Sequence, residues 1–169
     1  MKKLINSPED FARETVEGII AAHPDQLKIL DDSWHRMVRA DEKKVGKVAI
    51  TTGGGSGHLP VFLGYVGYGL CDGVTIGNVF ASPSAEDMYE VDKAIHSGAG
   101  VLHLYGRYSG DTMNFGMAKD LCEMDDIEVR EVLVTDDVAS APKGSEDKRR
   151  GVAGLVFAYK IAGAAAEKM

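Results

Sequence analysis

Four short apolar runs, KVAITT (47–52), GVTIGNVF (73–80), GVLHLY (100–105) and VREVLVT (129–135), alternate along this chain with segments of helical character. No other feature constrains the fold as much. Strands joined by helical crossovers lie parallel in one sheet, and such a sheet must be covered on both faces. The first helix is expected over residues 7–22, with Ser7 as cap, Pro8 as first helical residue and an acidic first turn, burying Phe11, Val16, Ile19 and Ile20. A second starts from a Ser82 or Ser84 cap and stops at Gly98; a third covers 110–124; an Ala-rich fourth covers 149–169. Residues 60–66 read as one or two helical turns, and 24–46 as polar and irregular with Trp34 packed on the body. The expected architecture is α/β: a single domain over residues 1–169, in three layers, with a mostly parallel sheet and helices on both faces.

In open α/β sheets ligands bind outside the carboxyl ends of the strands. This chain places TTGGGSGH (51–58), GNVFASPS (77–84), GRYSGD (106–111) and TDDVAS (135–140) there, all rich in small or polar residues. The net charge of −7 argues against a nucleic-acid or anionic-membrane surface. Two short basic clusters, Lys43-Lys44 and Lys148-Arg149-Arg150, read as solvated loop charges, with a phosphate site as the alternative. No apolar run approaches the about 18 residues needed to span a bilayer, and the two N-terminal lysines precede no apolar stretch. Cys71 and Cys122 lie far apart with no CxxC, which points away from zinc or a disulfide framework and toward a reducing cytoplasm.

The glycine-rich loop after the first strand fails the familiar phosphate and nucleophile patterns. A P-loop needs a lysine after its glycines, and none follows. The dinucleotide fingerprint begun at Gly53 and the nucleophile elbow begun at Gly54 both require glycine at 58, where the chain has His58. Ser56 is therefore a weak nucleophile candidate whose hydroxyl is expected to cap the following turn. The backbone N–H groups of the loop can hold the oxygens of a small polar ligand. His58, at the strand-to-helix junction, can both donate to and accept from a sugar hydroxyl. His23, His35 and His96 read as structural, and His103 as core or interstrand packing. Asp111, opening the third helix, fits an N-cap, a general base toward a bound hydroxyl, or both. Asp136-Asp137 reads as a charged loop, with Mg²⁺ binding as the alternative.

The blocks GKVAITTGGGSGHLP, NVFASPS, YSGDTMNF, VTDDVAS and RRGVAG…KIAGAAAE, together with the opening MKKLIN, occur in the same order as in the dihydroxyacetone kinase substrate-binding subunit family, which this chain resembles over essentially its whole length. The resemblance implies a cradle for a short ketose, dihydroxyacetone or erythrulose. By position it carries substrate binding to Gly55, Ser56, Gly57, His58, Gly106 and Asp111, with His58 and Asp111 catalytic: His58 on a ketose hydroxyl, Asp111 as base for the terminal hydroxyl. It further implies no metal or cofactor held directly. ATP or ADP with Mg²⁺ would sit on a separate nucleotide-binding kinase subunit, the phosphate coming from ATP or a phosphotransferase-system protein. A cytoplasmic homo-oligomer is implied as well.

Two departures shape these expectations. Members of the resembled family are about twice as long, and their second half supplies a histidine that binds the ketone carbon covalently; that domain is absent here. The chain then reads as a truncated first domain or one half of a split subunit. Many relatives also carry Lys-Asn where this chain has Gly106 and Arg107. Loss of the lysine is expected to open space for a four-carbon ketose. Arg107 could replace the charge from one position along, although strand alternation aims it the other way. Two alternative readings are a non-catalytic ketose-binding regulator and a generic nucleotide-binding domain.

Overall fold

A computed structural model describes residues 3–42 and 45–169. The expected Lys43-Lys44 cluster and the first two residues of MKKLIN lie outside the described residues. The elements run α1 (Phe11–Ala22), β1 (Leu27–Leu30), β2 (Ser33–Arg39), β3 (Ala49–Gly55), β4 (Gly73–Gly77), α2 (Ala85–Ile95), β5 (Val101–Gly106), α3 (Ser109–Met124), β6 (Val129–Val134) and α4 (Leu155–Ala166). One six-stranded sheet has the order β1-β2-β4-β3-β5-β6. The last four in that order are mutually parallel, and β2 is antiparallel to both β1 and β4. The α/β, mostly parallel reading therefore holds. Val16 of α1 and Leu155 and Tyr159 of α4 pack with Ile50, Val74, Ile76 and Leu104 on one face. Val91 and Ile95 of α2 and Cys122 of α3 pack with Ala49, Val101 and Val129 on the other.

Three expectations change. Within the stretch expected to be irregular, residues 27–39 form the β1–β2 hairpin, closed by Asp31 and Asp32 at φ 51° and 53°. Aspartate tolerates this left-handed conformation, which a two-residue hairpin turn requires. Trp34 does pack on the core, from β2. In α1 the helix proper starts at Phe11, because Ser7 closes the preceding turn by accepting from Asp10 N at 3.4 Å. Ala12 rather than Phe11 is buried beside Val16. Finally, α4 starts only at Leu155, since residues 151–154 are held as a loop by Asp136.

Behind the parallel strands, Asp92 of α2 accepts from His103 Nε2 on β5 at 2.6 Å and from the Thr51 hydroxyl on β3, with Cys122 Sγ at 3.6 Å. Thr51 and His103 are register partners, so one carboxylate ties the two central strands to α2. Asp92, His103 and Thr51 are wholly buried. His103 is core, as expected, though through a polar anchor that alternation alone does not reveal.

At the opposite end of the sheet from the glycine loop, Lys47 bridges Asp72 at 2.6 Å and Glu167 at 2.8 Å, and Arg39 joins both carboxylates and Asp41. Burial alone would raise the Glu167 carboxyl, but Lys47 and Arg39 outweigh it and hold its pKa at about 2 against an ordinary 4.5. A carboxylate depressed on folding contributes stability above its unfolded pKa and loses it as pH falls through the folded one. Melting temperature should thus decline between about pH 4.5 and about pH 2, and Glu167→Gln should flatten that decline while lowering stability at pH 7. An unchanged acid profile would contradict this.

Candidate functional site

The connections leaving β3 and β5 diverge: residues 56–72 return to β4 on the α1/α4 face, while α3 returns to β6 on the other. Adjacent parallel strands whose connections part this way leave a crevice between their carboxyl ends. A cavity of about 620 Å³ lies there, walled by residues from the glycine loop after β3, from 80–82, from the start of α3 and from 151–156, with Phe62 and Tyr65.

β3 runs three residues beyond the expected KVAITT, pairing Gly53, Gly54 and Gly55 with Thr75, Ile76 and Gly77. The glycines are required by close approach as much as by any ligand. A Cβ at 53 would lie 2.5 Å from Thr75 Oγ1, and one at 54 would lie 2.2 Å from Phe62 Cζ. Residues 56–58 form a single 3-10 turn beyond the ladder. Of the expected site residues, Gly55, Gly57, His58, Gly106 and Asp111 all line the cavity. Ser56 does not. Its hydroxyl is buried without a hydrogen-bond partner and makes no cap, which corrects the expected capping role.

His58 is exposed at the cavity and stands edge-on to Phe62, ring centroids 6.1 Å apart at 84°. Asp111 is the third residue of α3, not its N-cap; that place belongs to Tyr108, whose side chain makes no cap bond. Asp111 is 8% exposed, and its Oδ1 has no partner. Burial pushes its carboxyl up, against the lowering effects of the Ser82 hydroxyl bond and of His58. A desolvated carboxylate with an unpartnered oxygen, on a residue that lines a cavity, is equipped to take a proton from a hydroxyl that reaches it.

Ser84, not Ser82, caps α2, accepting from Asp87 N at 3.1 Å. Ser82 is freed to orient Asp111, a role that needs three-dimensional proximity to see. The aromatic walls Phe62, Tyr65, Phe80 and Tyr108 were likewise missed. Phe80 is fully exposed at φ 60°, an unusual backbone for an aromatic residue. Asp136 accepts from Val152 N at 2.9 Å and Gly154 N at 2.7 Å, fixing the loop that forms the cavity's far wall. Burial raises its carboxyl slightly, the two N–H bonds more than reverse this, and its pKa is lowered overall. The expected charged loop is therefore an anchor. Among the described residues no three of His, Cys, Asp or Glu group so as to hold a metal ion, and no helix is long and apolar enough to cross a membrane.

Fold and site define an α/β domain with a largely apolar cavity, carrying His58 and Asp111, at its topological switch point. The chain belongs to the Dak1 domain family, whose model matches residues 17–169. It is 46% identical to the L-erythrulose kinase of Pectobacterium atrosepticum, over 99% of this chain and 28% of that protein. It is 43% identical to the dihydroxyacetone-binding subunit DhaK of the PTS-dependent dihydroxyacetone kinase 1 of Listeria innocua, over 99% of this chain and 50% of that one. The crystal structure of the dihydroxyacetone kinase from C. freundii in complex with AMP-PNP and Mg²⁺ superposes with a TM-score of 0.89 at 32% identity, covering 99% of this chain and 31% of that chain. The chain thus spans half or less of these relatives' length.

Proposed function

We propose that this chain is the substrate-binding part of a short-ketose kinase, and that the cavity between β3 and β5 holds dihydroxyacetone or erythrulose. The observation that carries this reading is Asp111: buried, unpartnered at Oδ1, raised in pKa, and facing the same cavity as His58. Asp111 takes the proton of the ketose's terminal hydroxyl as that oxygen bonds to phosphorus and the donor's P–O bond breaks. His58 hydrogen-bonds a ketose hydroxyl and fixes the sugar's orientation, and positioning supplies most of the catalysis.

As part of the same proposal, the Mg²⁺-nucleotide belongs to a partner subunit. When bound there it supplies the phosphoryl group and neutralises its charge. A ketone-binding histidine would come from a second half or a companion chain, and assembly as a cytoplasmic homo-oligomer is part of the same proposal.

Alternation carries Arg107 away from the ketose cavity, so it does not replace a lysine at 106. The room at Gly106 is bounded by the Gly151 carbonyl, which would lie 2.8 Å from a Cβ, so only the space beyond the backbone is gained. The assembled kinase is expected to turn over erythrulose with a kcat/KM at least equal to that for dihydroxyacetone. Steady-state kinetics with both sugars checks this, and a clear preference for the three-carbon sugar would contradict it.

A further inference from the structure

A second cavity, of about 690 Å³, adjoins the ketose cavity across Tyr108, which lines both. Its walls carry Arg107, Lys148 and Arg150, the hydroxyls of Ser109, Thr112 and Ser140, and no carboxylate. Among the described residues none of the three cations has an Asp or Glu oxygen within 4 Å. Three unpaired cations converging on one hollow stand out in a chain of net charge −7.

The backbones of all three are fixed, while Lys148 and Arg150 remain exposed to an incoming ligand. Arg150 N donates to Ser140 Oγ at 2.9 Å, and Arg150 O accepts from Asp137 N at 2.9 Å. Its guanidinium lies 5.4 Å from the centre of the Tyr108 ring. Arg107 N is fixed to Val134 O at 3.1 Å, and Lys148 N to Ser145 O at 3.0 Å. The same hollow receives the start of the 16-residue helix α3, whose cap makes no side-chain bond and whose first N–H groups have no intrahelical acceptor. That helix start also positions Asp111, on the ketose side. Like charges gathered in a concave site repel one another unless an anion joins them, and guanidinium forks with hydroxyls match a phosphate's oxygens.

Resting on the ketose reading, we propose that this second cavity binds a phosphate group in transit, through Arg107, Lys148 and Arg150. The group is either the terminal phosphate of the nucleotide donor or that of the phosphorylated ketose. Arg107 sits one residue past Gly106 and on the opposite side of the strand end. The chain thus presents the sugar on one side of Tyr108 and cations for the phosphate on the other.

The test is calorimetric titration of the full-length protein with inorganic phosphate, dihydroxyacetone phosphate, a non-hydrolysable ATP analogue and unphosphorylated dihydroxyacetone. Arg107→Met, Arg150→Met and the double variant are compared with wild type, and circular dichroism confirms their fold. At least one phosphorylated ligand should bind, and each substitution should weaken it about tenfold or more, with dihydroxyacetone binding unchanged. Preference for the ketose phosphate identifies the product as the source; preference for the ATP analogue identifies the donor. The proposal is overturned if no phosphorylated ligand binds wild type, or if the folded double variant binds them equally well. Phosphate binding without dihydroxyacetone binding would instead sink the ketose reading and leave the anion site standing.

Discussion

Replacing Asp111 with asparagine is expected to lower phosphoryl transfer by the assembled kinase by roughly 10²- to 10⁴-fold, the usual contribution of a positioned general base. The ketose KM should change little, because the amide keeps a hydrogen bond to the sugar. Stability should move the other way. Burial raises the Asp111 carboxyl, so its ionised form is disfavoured by folding. A carboxyl raised on folding contributes stability below its unfolded pKa and loses it as pH rises through the folded one. At neutral pH the native charge therefore costs stability, and the neutral variant should melt a few degrees higher. The acid limb of the wild-type pH–kcat/KM profile should lie above the ordinary carboxylate range and vanish in the variant. A variant as active as wild type would remove Asp111 from the chemistry and favour the regulatory reading.

The second large effect is structural. Asp92→Ala leaves His103 and Thr51 buried with neither of their bonds to that carboxylate, in a site with no water access. Breaking one member of such a network costs about 3–5 kcal/mol, so the melting temperature should fall by roughly 10 °C or more. Replacing the group together, as Asp92→Leu, Thr51→Val and His103→Leu, should recover much of that loss, since apolar side chains leave no polar atom unsatisfied. Differential scanning calorimetry distinguishes the cases. A loss below about 1 kcal/mol for Asp92→Ala would mean that the network contributes no more than an exposed pair.

The parallel core was legible because KVAITT, GVTIGNVF, GVLHLY and VREVLVT are short, mostly apolar runs separated by segments of helical pattern. The β1–β2 hairpin was not, because its turn is Asp31-Asp32 rather than a glycine pair and its strands mix charge with apolar residues. The start of α4 was obscured for a different reason. Residues 149–154 have helical composition, but a carboxylate 16 residues before Val152 holds the chain as a loop.

At the site, loop positions pointed to Gly55, Gly57, His58, Gly106 and Asp111, all of which line the cavity, while the Ser56 hydroxyl is buried outside its lining, which loop position alone does not reveal. Ser82, Phe62 and Tyr108 could not be found from spacing. They reach the cavity from segments whose adjacency exists only once β3, β4 and β5 are side by side. Lys148 and Arg150 are exposed, as a run of loop charges should be, but the cavity they share with Arg107 was not legible because Arg107 is some 40 positions away.

The most direct test of the central claim is the crystal structure of the full-length protein soaked with dihydroxyacetone or erythrulose. The account predicts the sugar between β3 and β5, with one terminal hydroxyl hydrogen-bonded to Asp111 Oδ1 and another hydroxyl to His58. A ketose seated elsewhere, with Asp111 Oδ1 still unpartnered, would contradict it.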